Sequence, residues 1–346
     1  VTEGNLDKLC DRVCECVLEA LLAQDVESRA QLDACAKLGM VMLLGEVVSK
    51  ATVPYESIMR EAVRAAGYEH EDMGMDWRTV NIIVALEDRS AEWHRALLGG
   101  ADPWRSLGDD QAVLCGYATD ETPELEPRSQ QLAEQLAARM DALRLDGSLS
   151  WLRPDARAQV TVKYKVDSNR GLRPEGVSSV AIVYGHAADV KASEAEQELL
   201  EKVVKVVLPS LPDSVAFTAC ARAQHGASSA SGASRRQQSY GGWAPGGAFS
   251  GRDGSSLSRC GGVAAAWAAR SLVAGKFCRR CRVQLRYVGG EAQIQVDSYG
   301  TARDAELEEL LLRHFDFRPQ ALQKELQLNA SMKAKEKPWE KPKVLQ

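Results

Sequence analysis

Apolar residues recur at helical spacing over residues 5–23, where Leu6, Cys10, Val13, Cys14, Val17 and Leu21 share one stripe, and the period predicts an amphipathic helix. Met40–Val48 is a near-continuous apolar run interrupted by Gly45 and Glu46, which suits a buried strand. Tyr55–Ala66 is helical and stops at Gly67, a residue that readily takes the left-handed conformation at a helix end. Val80–Leu86 reads as a strand. Residues 88–108 then carry Gly99-Gly100, Pro103, Trp93 and Trp104 without a period, which predicts a mobile loop. Ser129–Leu145 is a second strong helix, and Gln159–Tyr164 and Ser179–Tyr184 alternate as strands do. Glu194–Val207 is a helix that stops before Pro209, and Val263–Ala274 is an alanine-rich one. Arg282–Val288 and Ala292–Tyr299 form a hairpin turning on Gly289-Gly290-Glu291, and Ala305–His314 is the last helix.

Helices and strands alternate in small groups, without the regular rhythm of a doubly wound sheet. The pattern predicts an α+β fold, with helices covering one face of mostly antiparallel sheets. The other faces are left to pack on another sheet or on a second subunit. A chain of 346 residues is too long for one core, so we expect subdomains, drawn approximately at 1–108, 109–217 and 218–346 and interleaved. Thr218–Ser239 stands apart: it is almost all Ala, Ser, Gly, Arg and Gln, with no Val, Ile, Leu or aromatic residue. Such a stretch buries too little apolar area to offset its ordering entropy, so it reads as a flexible loop.

Composition narrows the function classes. Hydrophobic residues make up 45% and charged residues 26%, an ordinary globular balance, and the net charge of −5 argues against a nucleic-acid partner. Basic residues crowd only at Lys333–Lys343, where Glu336 and Glu340 dilute them into a solvated tail. No apolar run approaches the roughly 20 residues of a bilayer span, so no membrane role is expected. Nine irregularly spaced cysteines do not form a secreted disulfide framework, and Cys278 and Cys281 lack partners for a zinc site. A cytoplasmic setting follows from this usage. Val1 falls in mid-motif, which predicts residues ahead of it.

Long sequence words carry the chemistry. Gly116-Tyr117-Ala118-Thr119-Asp120-Glu121, Trp151-Leu152-Arg153-Pro154-Asp155-Ala156, Tyr240-Gly241-Gly242-Trp243, Gly246-Gly247-Ala248-Phe249-Ser250-Gly251 and Phe315-Asp316-Phe317-Arg318-Pro319 follow one another in order, with Lys37–Met40 and His70–Gly74 ahead of them. In these words the chain resembles the S-adenosylmethionine synthetase (methionine adenosyltransferase) family over essentially its whole length. The resemblance implies three similar α+β subdomains around a pseudo-threefold axis and a homodimer or higher oligomer with shared active sites. It also implies ATP and L-methionine as substrates and Mg2+ and K+ as ions.

The implied site can be read residue by residue. Glu3-Gly4-Asn5-Leu6-Asp7-Lys8 resembles the family's EGHPDK: Asp7 is the implied magnesium carboxylate, and Asn5 stands where the histidine would be. An amide donates a hydrogen bond but carries no positive charge. Glu46 and Asp110 are the implied methionine-binding carboxylates, and Asp33 takes the place of a potassium-ligating glutamate. Leu107 and Ala112 replace the glycines flanking the Asp110-Gln111 pair. Asp155, Arg157, Ala248 and Arg252 are the implied ATP contacts, both arginines standing for lysines, and Asp7, Asp110 and Arg252 are the implied catalytic set. Ser256 and Ser258 stand for a lysine and an aspartate, and Ala219, Ala227, Ala233 and Ser234 for phosphate- and adenine-contacting residues, with Arg235 and Arg236 one position on.

Two functions follow. The first is synthesis of S-adenosylmethionine from ATP and L-methionine with release of phosphate and pyrophosphate, at impaired rate. The alternative is a catalytically dead paralogue that regulates or scaffolds an active synthetase in a hetero-oligomer. The abrupt composition of 218–239 also fits a wrong exon boundary between intact flanks.

Overall fold

The computed structural model describes residues 1–37, 39–88, 111–212, 214–221, 228–230, 250–288, 291–331 and 341–345. The strands form three sheets. The first, in the order β3-β2-β1-β8, comprises β1 (Arg29–Lys37), β2 (Met40–Val48), β3 (Asn81–Asp88) and β8 (Ser228–Ala230). The second joins β4 (Gln111–Thr119) to the hairpin of β9 (Arg280–Val288) and β10 (Glu291–Asp297), in the order β10-β9-β4. The third is β5 (Leu152–Val166), β6 (Leu172–His186) and β7 (Ala216–Ala221). Among the described residues the ladders are antiparallel except β2–β3 and β6–β7.

Each sheet buries one face under helices. Helix α1 (Leu6–Gln24) lays Leu9, Val13, Cys14, Val17 and Leu21 against Leu32, Ala34, Val41, Leu43 and Val47, with Met59 and Val63 of α2 (Tyr55–Ala65) closing the core. Cys10 and Cys14 are fully buried there as small apolar residues. Helix α3 (Arg128–Leu145) covers the third sheet together with α4 (Ala192–Leu199), which runs on through a π turn at Leu200–Val204 and a last helical turn at Lys205–Val207. Helix α5 (Leu257–Ala274) covers the second sheet, followed by α6 (Asp304–His314) and α7 (Pro319–Leu326). Burying each large apolar side chain contributes about 1.5–3 kcal/mol, so three separate cores stabilise three sheet-plus-helix subdomains. No described helix is long and apolar enough to cross a membrane.

The cores are joined by polar clasps. Arg279 Nε donates to Asp120 Oδ2 at 2.7 Å, and its Nη1 donates to Asp167 at the tip of the β5–β6 hairpin. Arg153 in β5 donates to Asp72 Oδ2 at 2.6 Å, tying two of the sequence words together.

Two sequence expectations change. Thr218–Ala221 is not loop but the end of β7, whose small side chains are tolerated because it is held by its backbone ladder to β6. Ser228–Ala230 likewise pairs with β1; the other residues of 222–239 lie outside the described residues, as do 89–108 of the expected mobile loop. Of the basic tail expected to be solvated, residues 332–340 lie outside the described residues, and 341–345 are docked. Lys343 Nζ bonds Glu325 Oε1 at 2.6 Å and sits 4.7 Å from the Phe315 ring centroid, Trp267 Nε1 donates to Lys341 O at 2.8 Å, and Leu345 is buried.

Candidate functional site

The chain start is sewn into the third sheet. Thr2 N donates to Ala156 O at 3.0 Å, and Ala156 N returns a bond to Thr2 Oγ1 at 2.8 Å. A Cβ on Gly4 would fall 2.2 Å from Pro154 Cβ, so this approach requires glycine. The Gly4 carbonyl accepts from the hydroxyl of Tyr68. Burial first, and the charge of Asp155 second, push that phenol well above its ordinary range, which keeps it a neutral donor.

Asn5, fully buried, is the N-cap residue of α1, yet its side chain does not cap the helix. Its Nδ2 donates instead to Asp155 Oδ1 at 2.8 Å. Arg157 Nε stands 3.9 Å from the same oxygen. The Asp155 carboxylate therefore sits between an amide and a guanidinium, and the charge-assisted bond fixes which way Asn5 faces. Asp7 follows in the first turn of α1, where the aligned peptide dipoles favour an acid.

Asp11 and Glu15 repeat the spacing of Asp7 by one and two turns, so the three acids share a face of α1 and span about 12 Å. Residues Ser250–Asp253 lie along the edge of β1 beneath this face. Leu32 N donates to Gly251 O at 3.0 Å, Asp253 N to Ala30 O at 3.3 Å, and Gln31 bridges Arg252. Gly251 has φ +73° and a Cβ there would meet Cys14 Cβ at 2.7 Å, so both conformation and space select glycine. Glu15 accepts from Gly251 N at 2.9 Å and takes the fork of Arg259 at 2.9 and 3.0 Å. Arg259 also donates to Arg252 O at 2.8 Å. Asp253, almost fully buried, accepts from Ala30 N at 3.0 Å, Arg29 at 3.2 Å and Ser255 N at 2.8 Å, a structural role.

Arg252, 7% exposed, directs Nη2 at both oxygens of Asp33, 3.1 Å from each, and Nη1 at the Leu32 carbonyl. In the β1–β2 register Asp33 faces Leu44 and Gln31 faces Glu46, so half-buried Glu46 lies diagonal to Asp33 on the outer face, about 7–8 Å away. Ser256 precedes α5 as its N-cap residue and Ser258 is buried in the first turn. The structure thus brings Asn5, Asp7, Asp155 and Arg157 to one end of α1, and places Asp33 with Arg252, and Glu46 diagonal to them, on the face of the first sheet turned away from α1. Asp110, Ala248, Ala227, Ala233 and Ser234 lie outside the described residues.

Asp11, Glu15 and Arg259 had no place in the sequence reading, although the acids recur every fourth residue opposite the apolar stripe. Burial raises the Asp11 carboxyl to about 6; a hydrogen bond from Ser250 opposes the rise and the charge of Glu15 adds to it. Because the folded value exceeds the unfolded one, the stability Asp11 contributes is complete below about pH 4 and lost as pH rises through about 6. Asp11→Asn is therefore expected to raise the urea-unfolding free energy at pH 7.5 by on the order of 1–2 kcal/mol, discounted for partial exposure, and to change it little at pH 4. An equal effect at both pH values would refute this titration.

Among the described residues no group of three or more His, Cys, Asp or Glu could hold a metal. Magnesium needs only one or two protein carboxylates when phosphate oxygens and waters complete its shell, so the lack of such a group does not bear on a single carboxylate such as Asp7.

Sequence-family models match the chain in succession. The model described as S-adenosylmethionine synthetase, N-terminal domain, covers residues 1–91; those for the central and C-terminal domains cover 106–222 and 223–338.

Proposed function

As this chain belongs to the S-adenosylmethionine synthetase family, we propose that it forms S-adenosylmethionine from ATP and L-methionine, more slowly than a site holding the family's histidine would. The observation that carries the proposal is the 2.8 Å bond from Asn5 to Asp155, which joins the first motif to the β5 motif at the head of α1. In the reaction the methionine sulfur lone pair forms a bond to C5′ of ATP. The C5′–O bond breaks, and its electron pair leaves with the triphosphate, which water then splits to phosphate and pyrophosphate.

Asp7 would hold magnesium, which supplies charge neutralisation on the triphosphate. Asp155 and Arg157 would orient the nucleotide, Arg252 would direct its remaining donors at the phosphates, and Glu46 with Asp110 would receive methionine, Glu46 taking the ammonium. Asn5 can donate a hydrogen bond toward the reacting end but cannot carry the charge of a protonated histidine, and this slows the chemical step. The half-exposed outer face of the first sheet, with Met42, Leu44 and Ile83 in register beside the acids, supports a homodimer that pairs these faces.

A regulatory paralogue is the second reading. It is favoured by the full burial of Asn5, whose neutral amide already spends one of its two donors on Asp155. Transfer of label from radioactive methionine, with magnesium and KCl present, decides between them: we expect product above the no-protein blank. Background counts from folded protein that still binds ATP in calorimetry would establish the second reading instead.

A further inference from the structure

Potassium does not fit this chain as the sequence words imply. A potassium ion bound at Asp33 would draw on its carboxylate oxygens and on nearby backbone carbonyls. Here both oxygens of Asp33 lie 3.1 Å from Arg252 Nη2, and the Leu32 carbonyl accepts from Nη1 of the same guanidinium. A second cation placed among these oxygens would meet a like charge at contact distance.

The guanidinium is held there by more than its own ion pair. Its backbone bridges Gln31 at the edge of β1, its carbonyl accepts from Arg259 at 2.8 Å, and Arg259 is in turn clamped by Glu15 at 2.9 and 3.0 Å. Gly251, in the left-handed conformation, and buried Asp253 fix the segment on either side. The guanidinium thus presents a single positive charge to Asp33.

We infer that the guanidinium of Arg252 takes the place of a dissociable monovalent cation at Asp33, so that the chain needs no potassium to complete this part of its site. The inference rests on the proposed function only for its turnover consequence. Two measurements test it without turnover. Equilibrium dialysis of the purified chain with radioactive rubidium, the congener of potassium, with and without magnesium and ATP, should show no saturable binding. The thermal midpoint should be the same in KCl and in tetramethylammonium chloride at equal ionic strength. Arg252→Gln uncovers Asp33, and its midpoint should then rise with KCl but not with tetramethylammonium, whereas Arg252→Lys should stay indifferent.

If turnover is measurable, wild-type rates in the two salts should agree within about twofold, since a cation that does not bind shifts no equilibrium. Saturable rubidium binding to the wild-type chain that KCl displaces, a potassium-specific rise in its midpoint, or an Arg252→Gln variant that folds yet ignores potassium would each overturn the inference. Should Arg252→Gln not fold, the two wild-type measurements decide it alone. An inactive chain that passes them leaves this inference standing and removes the synthetase reading.

Discussion

Arg259→Ala is expected to cost about 3 kcal/mol of unfolding free energy, more than any other single side-chain truncation on this face of the site. The guanidinium is nearly buried, with its side chain 9% exposed against 25% for Glu15. Its two nitrogens take both oxygens of that carboxylate, the geometry in which a guanidinium is strongest. Truncation removes the partner and leaves the charge. Glu15 would then face Asp11, whose carboxyl is already raised by burial, while keeping the 2.9 Å bond from the amide of Gly251. The Arg252 carbonyl would lose its donor at the same time. Urea denaturation of the two proteins at pH 7.5 measures the effect. A loss below about 1 kcal/mol would mean that the pair behaves as an exposed one. Arg259→Lys should recover only part of the loss, because a single ammonium cannot span both oxygens.

Asp7→Asn is expected to lower kcat/KM for ATP on the order of 100-fold, equivalent to about 2.7 kcal/mol of transition-state stabilisation, while leaving the thermal midpoint nearly unchanged. Asp7 is only partly buried in the first turn of α1, and asparagine keeps its shape there. The substitution removes the charge that would hold magnesium against the triphosphate, so the loss should shrink when magnesium is raised. Steady-state rates across a magnesium titration check this. An unchanged kcat/KM with an unchanged magnesium optimum would remove Asp7 from the metal site.

Much of the fold was legible because it is written in local periods. The stripe of α1, the run of β2 and the hairpin of β9 and β10 each carry their signal within one or two dozen residues. Strand β1 carries almost none: its core side is Ala30, Leu32, Ala34 and Ala36, small residues that fill the narrow space under α1 without raising the hydrophobic signal. Strand β7 is short and lined with small side chains, and it exists through its ladder to β6. At the site the residue types could be found from the words, but their pairings could not. Asn5 meets Asp155 across 150 positions and Arg252 meets Asp33 across 219, and nothing local in the sequence selects either contact. The docking of Lys343 was illegible for the same reason, since its partners are Glu325, Trp267 and Phe315 rather than its neighbours.

Helix α1 also fixes a length. Its head is sewn to β5 through Thr2 and Asn5, and two turns on it is clamped to α5 through Glu15 and Arg259. The distance between those anchorages is set by helical rise and angle and not by a loop that could stretch. One residue inserted between Asp7 and Glu15 would turn the second anchorage by about 100° and carry it off its partner. The site therefore has a ruler built into it: the nine residues from Asp7 to Glu15 can change their letters but not their count without moving one anchorage off its partner.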